Sequence, residues 1–401
     1  MKYLICTLAI LAAGSSFGHS QVLDANRAVH HAWQNRAVVA AARAEIDREA
    51  AAKSAASAHP ATRLLVGRGS DRVPGATDQD LALIQPLDIF GVGRAAAAIG
   101  DARIMIAEAR LRTTQQTVQN EVLTAFNRYV LARRRLAITQ ELLTIARRLR
   151  DVSKQRFDLG ESAEVHALRS EIEFQRASQT VALREGDLRV AATQLRTAMG
   201  LPPEEELDIA PQFYSVSELG DIDLKSSRGD LLALAGERRL IDAEVRAEQL
   251  ENRPELGLEL RRSPWTDRSE FGLRVQFSLP VHDFGRGRGI SKSAQLRREA
   301  ADKRFNDALA QAESERKESL LALTTEHDQV ARSQQLRDQA VRLVQMAQLG
   351  FEKGAYSLVE TLEASRAQRE VEDALIDAEF RLAEASVQWV TAVGYLLEEP
   401  K

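Results

Sequence analysis

The chain contains segments in which apolar and polar residues alternate with a period of two, the pattern of a β-strand with one apolar face. Between residues 254 and 261 leucine occupies every second position, and small or charged residues lie between. After a turn-like stretch, the alternation resumes over residues 271–279, and weaker copies occupy 62–68 and 79–87. About ten residues is the length of a tilted strand that crosses an outer membrane. The pattern predicts β-hairpins at residues 62–87 and 254–281.

Helical patterns of unusual length follow each hairpin. Residues 94–156 contain no proline and a single glycine, Gly100, and residues 290–349 contain neither. About 60 residues at 1.5 Å each form a rod of roughly 90 Å. Apolar residues in the first rod alternate between spacings of four and three, which is the heptad seam of a coiled coil: Val118, Val122, Ala125, Tyr129, Ala132 and Leu136. With a break at Gly160 or Gly354 and a returning helix, the pattern predicts long helical hairpins at 94–199 and 288–396.

The two halves of the chain correspond at a constant offset of 194 residues. The matching positions keep one ungapped register and include Pro86 and Pro280, Phe90 and Phe284, Gly91 and Gly285, Phe157 and Phe351, Gly160 and Gly354, and Gly200 and Gly394. We interpret this register as an internal duplication. Each half then contains a helix (21–57 or 224–251), a β-hairpin and a long helical hairpin. The predicted repeats span 21–200 and 224–401, joined by a proline-containing linker at 201–223.

The N-terminus predicts the cellular compartment of the protein, and the overall charge limits its classes of partner. Lys2 precedes a short apolar run and then small residues, so residues 1–20 are expected to be a secretory signal peptide. Cys6, the only cysteine, lies inside that segment, which leaves the mature chain without disulfides. The net charge of −4 argues against a nucleic-acid partner. A content of 28% charged and 5% aromatic residues is typical of long solvated helices.

Four strands with open edges cannot cross a membrane alone, because every backbone polar group there must be paired. Closure by three copies would give a barrel of 12 strands with an aqueous lumen. The alternation also fits a soluble antiparallel sheet with one buried face. The secretory signal, the duplicated hairpins and the long rods favour the membrane barrel.

The turns after the two rods resemble those of the TolC-like outer-membrane efflux protein family, in the stretches 156–161 and 350–364. The resemblance implies a mainly α-helical fold with a membrane β-barrel. In it, a homotrimer forms a 12-stranded outer-membrane barrel on a periplasmic α-helical barrel. It also implies location in outer-membrane lipid, a periplasmic membrane fusion adaptor as partner, and an inner-membrane pump of the RND type.

The expected function is therefore a passive channel of a tripartite efflux system. Compact length and short loops look most like the CzcC-type members, which makes heavy-metal cations one expected cargo. Multidrug efflux or type I secretion would use the same duct. A periplasmic coiled-coil adaptor or scaffold is the alternative from another class, although adaptors usually carry one helical hairpin rather than two.

The turns at 157–165 and 351–359 are the candidate aperture and adaptor contacts. Gly160 and Gly354 are expected to form the turns that adaptor tips touch. Threefold symmetry would repeat any lumen-facing carboxylate as a ring that favours cations. A solvated carboxylate near a helix start is the simpler interpretation of each acidic residue. The candidates are Asp158, Gly160, Glu161, Glu164, Glu352, Gly354 and Glu360.

The glycine-rich stretches before the rods allow two interpretations. A phosphate loop would need a following lysine and serine or threonine, and neither stretch has them. A strand-to-helix joint needs a proline that ends hydrogen bonding and glycines that permit a sharp turn. The joint residues are Pro86, Phe90, Gly91, Gly93, Pro280, Phe284, Gly285 and Gly287.

The sequence contains no recognisable catalytic arrangement. His30 and His31 are its only adjacent histidines, and a solvated helix face accounts for them better than a metal site. We therefore expect no enzymatic activity, no cofactor and no resident metal.

Overall fold

A computed structural model of the chain describes residues 22–68, 79–161, 163–204, 208–216, 223–250, 253–262, 271–278, 284–352, 355–356 and 358–397. The predicted signal peptide at residues 1–20 lies outside these ranges.

The described residues form eight helices and four strands. In chain order these are α1 (Ala25–Asn35), α2 (Ala37–Ser57), β1 (Arg63–Arg68), β2 (Gln79–Leu87), α3 (Val92–Asp158), α4 (Glu164–Met199), α5 (Leu224–Ser227), α6 (Gly229–Leu250), β3 (Glu255–Arg262), β4 (Phe271–Ser278), α7 (Arg286–Glu352) and α8 (Leu358–Val393). Within the part of the chain that the structure describes, none of the helices is both long enough and apolar enough to cross a membrane.

The long helices repeat with the predicted offset. α3 and α7 each contain 67 residues, α4 and α8 each contain 36, and every end of one pair lies 194 residues from the matching end of the other. Gly200 and Gly394, which follow α4 and α8, both adopt the left-handed conformation, with φ of 73° and 69°. Left-handed glycine is the common end of an α-helix because it lacks a Cβ. The duplication in the sequence is therefore a duplication of structure.

The first helix of each half is broken, which differs from the continuous helices predicted at 21–57 and 224–251. Arg36 separates α1 from α2, with φ −71° and ψ 121°. Arg228 separates α5 from α6, with φ −80° and ψ 122°. Neither proline nor glycine stands at position 36, so the local sequence carries no strong breaking signal. The breaks coincide with long-range hydrogen bonds of the two arginines, from Arg36 to Glu121 and from Arg228 to Glu315.

The four strands form one antiparallel sheet in the order β1-β2-β3-β4, with β1 and β4 at its edges. The two predicted hairpins are joined through β2 and β3, where Leu87 pairs with Leu256 at one end and Leu81 with Arg262 at the other. Three identical chains can close such a sheet only by pairing β1 of one protomer with β4 of the next.

The main hydrophobic core lies near the middle of α3, where Val122, Leu123 and Phe126 are almost fully buried. α1, the end of α4 and the segment 208–216 pack on it. The N–H of Leu23 donates to the carbonyl of Asp208 at 2.7 Å, which fixes the linker against the start of the chain. This core holds the halves together between the sheet at one end of the rods and the turns at the other.

Candidate functional site

The joint between β2 and α3 is organised by Asp88, a residue that the sequence reasoning missed. Its carboxylate accepts hydrogen bonds from the N–H groups of Gly91 at 2.8 Å, Val92 at 2.7 Å and Gly93 at 2.7 Å. These N–H groups belong to the first turn of a helix, where donors lack intrahelical acceptors and need another partner. The carboxylate of Asp88 is that partner.

The hydrogen bonds lower the pKa of Asp88 below its usual value. The N–H of Gly93 has the largest effect, those of Val92 and Gly91 add to it, and burial acts in the opposite direction. Gly93 is also tightly placed, because a Cβ there would lie 3.0 Å from a carboxylate oxygen of Asp88. The available sequence signal was an aspartate just before a glycine-rich helix start, a common capping arrangement.

Pro86 does not end the strand as predicted. It lies one residue before the end of β2 and pairs with Gly257 of β3. On its other side the pairing with β1 has already ended at Ile84. Proline is tolerated there because only one neighbouring strand remains.

The other joint residues lie where the chain passes from sheet to helix. Phe90 is half-buried, and Gly91 adopts φ 82°. In the second joint, Phe284 and Gly285 adopt positive φ values of 49° and 86°, Phe284 is 89% exposed, and Gly287 lies in the first turn of α7. Positive φ in a phenylalanine is strained, so this joint is shaped by more than its glycines. Pro280 lies outside the described residues.

The turn between α3 and α4 contains the first set of predicted aperture residues. Gly160 adopts φ 73°, and the N–H of Glu161 donates to the carbonyl of Arg156 at 2.8 Å, which closes α3. A Cβ at Gly160 would meet no atom within 4 Å, so the glycine is required by backbone conformation rather than by space. Asp158, Glu161 and Glu164 are all exposed.

The turn between α7 and α8 is closed differently. The carbonyl of Gly350 accepts from the N–H of Ala355 at 2.7 Å, and a Cβ at Gly350 would lie 2.1 Å from the ring of Tyr356. Gly350 is a second residue that sequence reasoning missed, since its role depends on a ring six positions later. Glu360 is exposed near the start of α8. Glu352 is the last residue of α7, and Gly354 lies outside the described residues.

The two helical hairpins are joined by ion pairs between their facing helices. Arg135 of α3 binds Asp377 of α8 at 2.6 Å, and the neighbouring Arg134 binds Glu379. Nearer the turns, Arg366 of α8 lies 3.3 Å from Glu173 of α4. A cavity of about 270 Å³ opens between the hairpins around this last pair. Any separation of the hairpins has to break these contacts.

The chain matches the model of a known protein family over both of its repeats. The family described as "Outer membrane efflux protein" matches residues 28–201 and 223–395, which is most of the chain. The chain belongs to the outer membrane efflux protein family. A comparison with curated protein sequences gives no significant match.

Solved structures with the same fold are outer-membrane channels. The outer-membrane channel OprN has a TM-score of 0.72 and 21% identity, and the match covers 92% of this chain and 89% of that one. VceC from Vibrio cholerae has a TM-score of 0.69 and 16% identity, with coverage of 93% and 97%. The MtrE channel from Neisseria gonorrhoeae has a TM-score of 0.73 and 15% identity, with coverage of 92% and 88%.

The predicted fold class and location are thus confirmed. This outer-membrane efflux protein is a TolC-like channel of the outer membrane with a periplasmic extension, and it serves as the duct of a tripartite efflux system. Members of the family are trimers that work with adaptors and inner-membrane pumps, and they are channels rather than enzymes. The alternative of a periplasmic adaptor or scaffold is set aside. Among the described residues, no group of three or more histidine, cysteine, aspartate or glutamate side chains is placed to hold a metal ion.

Proposed function

We propose that this channel is a passive conduit whose periplasmic turns, at 157–165 and 351–359, receive the tips of a membrane fusion adaptor. An inner-membrane pump of the RND type supplies the energy. The observation that carries the proposal is the duplication itself. Two rods of 67 residues leave one sheet and end in turns at equivalent positions of the two halves. Such a duplicated subunit presents six similar turns at the end of a trimer, a repeated surface that suits a repeated partner.

Opening of the conduit is a relative movement of the two hairpins. The ion pairs of Arg134, Arg135 and Arg366 with α8 and α4 connect the hairpins along their lower halves. Partly exposed pairs of this kind each contribute only about 0–1 kcal/mol. Docking of a partner can therefore displace them without unfolding the rods.

The acidic residues at the turns support passage of cations at this end. Asp158, Glu161, Glu164 and Glu360 are exposed, and threefold symmetry would repeat each of them three times. Heavy-metal cations, organic drugs and secreted proteins remain separate predictions for the cargo.

Two substitutions of Gly160 test the docking proposal. In Gly160→Trp a bulky ring enters the exposed turn, and we expect export to fall at least about tenfold if docking is lost. Gly160→Asn is expected to export normally, because asparagine tolerates the left-handed conformation and adds little bulk. Export is measured as survival on a panel of toxic metal salts, cationic dyes and anionic detergents, which also reveals the cargo class.

Gly186→Trp is the matched control, since Gly186 lies within α4 and a Cβ there also meets no atom within 4 Å. All three variants must retain wild-type amounts of outer-membrane trimer. Normal export by Gly160→Trp, with trimers intact, would show that this turn is not the docking surface.

A further inference from the structure

The sheet has one face that is almost entirely apolar. Residues paired across antiparallel strands point to the same face, and successive residues of a strand point to opposite faces. Val66 and Leu273 lie on the apolar face and are each 74% exposed. Membrane barrels turn such a face to lipid and their polar face to the lumen. The other side chains that the structure describes on the lipid-facing surface are leucine, valine or phenylalanine, with two exceptions, Gln85 and Arg262.

Arg262 lies at the outer end of the lipid-facing surface. It is the last residue of β3, and it pairs with Leu81 of β2 and with Phe271, the first residue of β4. The long helices follow the opposite ends of β2 and β4, beyond Leu87 and Ser278, and extend into the periplasm. The end of the sheet that carries Arg262 therefore faces the outer leaflet. Phe271 is 60% exposed there, as expected for an aromatic residue at the edge of the lipid-facing band.

Within the described part of the chain, the guanidinium group of Arg262 has no hydrogen-bond or ion-pair partner. Gln85, the other polar residue of this face, donates to a backbone carbonyl at 3.0 Å. On the lumenal face, Glu259 lies 3.9 Å from guanidinium nitrogens of Arg261 and of Arg274. By contrast, no aspartate or glutamate of the four described strands occupies a lipid-facing position. The strands thus supply no counter-charge to Arg262.

A half-buried guanidinium at the edge of a lipid-facing surface needs acceptors for its N–H groups, because burial without them is costly. Arginine presents these donors as a planar fork that fits two oxygens of one phosphate. Its long apolar stem can lie along neighbouring hydrocarbon while the charged end reaches the headgroups. Phosphates are available at this level of an outer membrane, where lipid A anchors lipopolysaccharide in the outer leaflet.

We propose that Arg262 and Phe271 form a binding site for lipid A on the outer rim of the barrel. Arg262 binds a phosphate of the lipid, and Phe271 packs against an acyl chain. Threefold symmetry repeats the site three times around the trimer. A free phosphate ion would make only the first of these contacts, so the expected occupant is the lipid. Such anchors at the membrane surface fix the height and tilt of a protein in its bilayer.

Purified trimers test the site by titration with lipid A in detergent, with bound lipid counted by native mass spectrometry. Each protein is titrated with diphosphorylated lipid A and with the same lipid after removal of both phosphates. We expect wild-type trimers to bind the phosphorylated form at least about fivefold more tightly, the effect of one basic residue near anionic headgroups. Arg262→Gln should reduce this preference at least about threefold. Arg262→Lys keeps the charge without the fork and should retain part of it.

Arg63→Gln is the matched control. Arg63 pairs with Ile84 on the lumenal face, so the same charge is removed away from lipid, and the preference of wild type should remain. The preference compares two lipids on the same assembled trimers, so the yield of a variant does not affect it. Equal binding of the two lipids by wild type would overturn the inference without any substitution. An unchanged preference in Arg262→Gln, or an equal loss in Arg63→Gln, would overturn it as well.

Discussion

At the scale of single residues, Asp88 decides how the chain leaves the sheet. Glycine at 91 and 93 allows the turn, but the turn is held by three N–H groups that converge on one carboxylate. The second joint has His282 at the position that corresponds to Asp88 in the offset of 194. A glycine-rich motif repeated in sequence therefore does not predict the same hydrogen bonds in both copies.

Loss of the Asp88 carboxylate should loosen the first joint. We expect Asp88→Ala to destabilise the protein by about 1 kcal/mol per protomer, the usual effect of removing a helix cap. Asp88→Asn keeps an acceptor oxygen and should have a smaller effect. The measurement is thermal unfolding of detergent-solubilised trimers, followed by loss of helical circular dichroism. Asp338→Ala, which removes an exposed carboxylate 2.9 Å from its neighbour Arg337, is the control.

The same residue predicts a dependence on pH. Because the N–H groups lower the pKa of Asp88 in the folded state, the carboxylate contributes stability that is fully present above its unfolded pKa of about 3.9. This contribution is lost as pH falls through the lower folded pKa. Asp88→Asn should therefore lose less stability than wild type between neutral and strongly acidic pH. Identical acid sensitivity of the two proteins would show that the cap is not formed.

At the scale of elements, the duplication includes a pair of equivalent arginine contacts that the sequence pattern did not predict. Arg36 donates to Glu121 at 2.7 Å and to the carbonyl of Ala198 at 3.1 Å. Arg228 makes the equivalent contacts, to Glu315 at 2.5 Å and to the carbonyl of Ala392 at 3.1 Å. Both partners of Arg228 lie 194 residues beyond those of Arg36, but the arginines themselves lie 192 apart. Each one ties the end of a returning helix to a rod and breaks its own helix in doing so.

Arg228 should contribute more to the stability of the folded protein than Arg36. Its side chain is 14% exposed against 25% for Arg36, and it also binds Asp230 at 2.7 Å. Hydrogen bonding to Asp230 and to Glu315 raises the pKa of Arg228, although burial acts against them. We expect Arg228→Ala to cost about 2 kcal/mol and Arg36→Ala about 1 kcal/mol, between the values for buried and exposed pairs.

Chemical denaturation of the trimer measures the loss of stability caused by each of the two arginine substitutions. Arg337→Ala, at an exposed arginine next to Asp338, sets the effect of removing a surface charge. Equal losses for Arg36→Ala and Arg228→Ala would show that the additional partner and the deeper burial contribute nothing.

At the scale of the whole molecule, periodicity predicted the strands and rods, and the offset of 194 predicted how they repeat. These features depend on neighbours in sequence, such as the heptad residues Val118 and Val122, which are buried as expected. The helix breaks, the Asp88 cap and the position of Glu259 between two arginines depend on contacts across the fold, and no local pattern reports them. The glycine turns at Gly160 and Gly354 followed from the break in the helical pattern and from the repeat, whereas their role in docking came from the family resemblance and stays a prediction.

Three copies of the chain close one membrane barrel above one helical tube. The open edges at β1 and β4, and the exposed apolar face that includes Val66 and Leu273, require that closure. The most direct measurement is the number of chains in the particle extracted by detergent from the outer-membrane fraction, determined by light scattering. We predict three chains per particle; recovery of the protein as a soluble monomer in the periplasmic fraction would show that the barrel does not form.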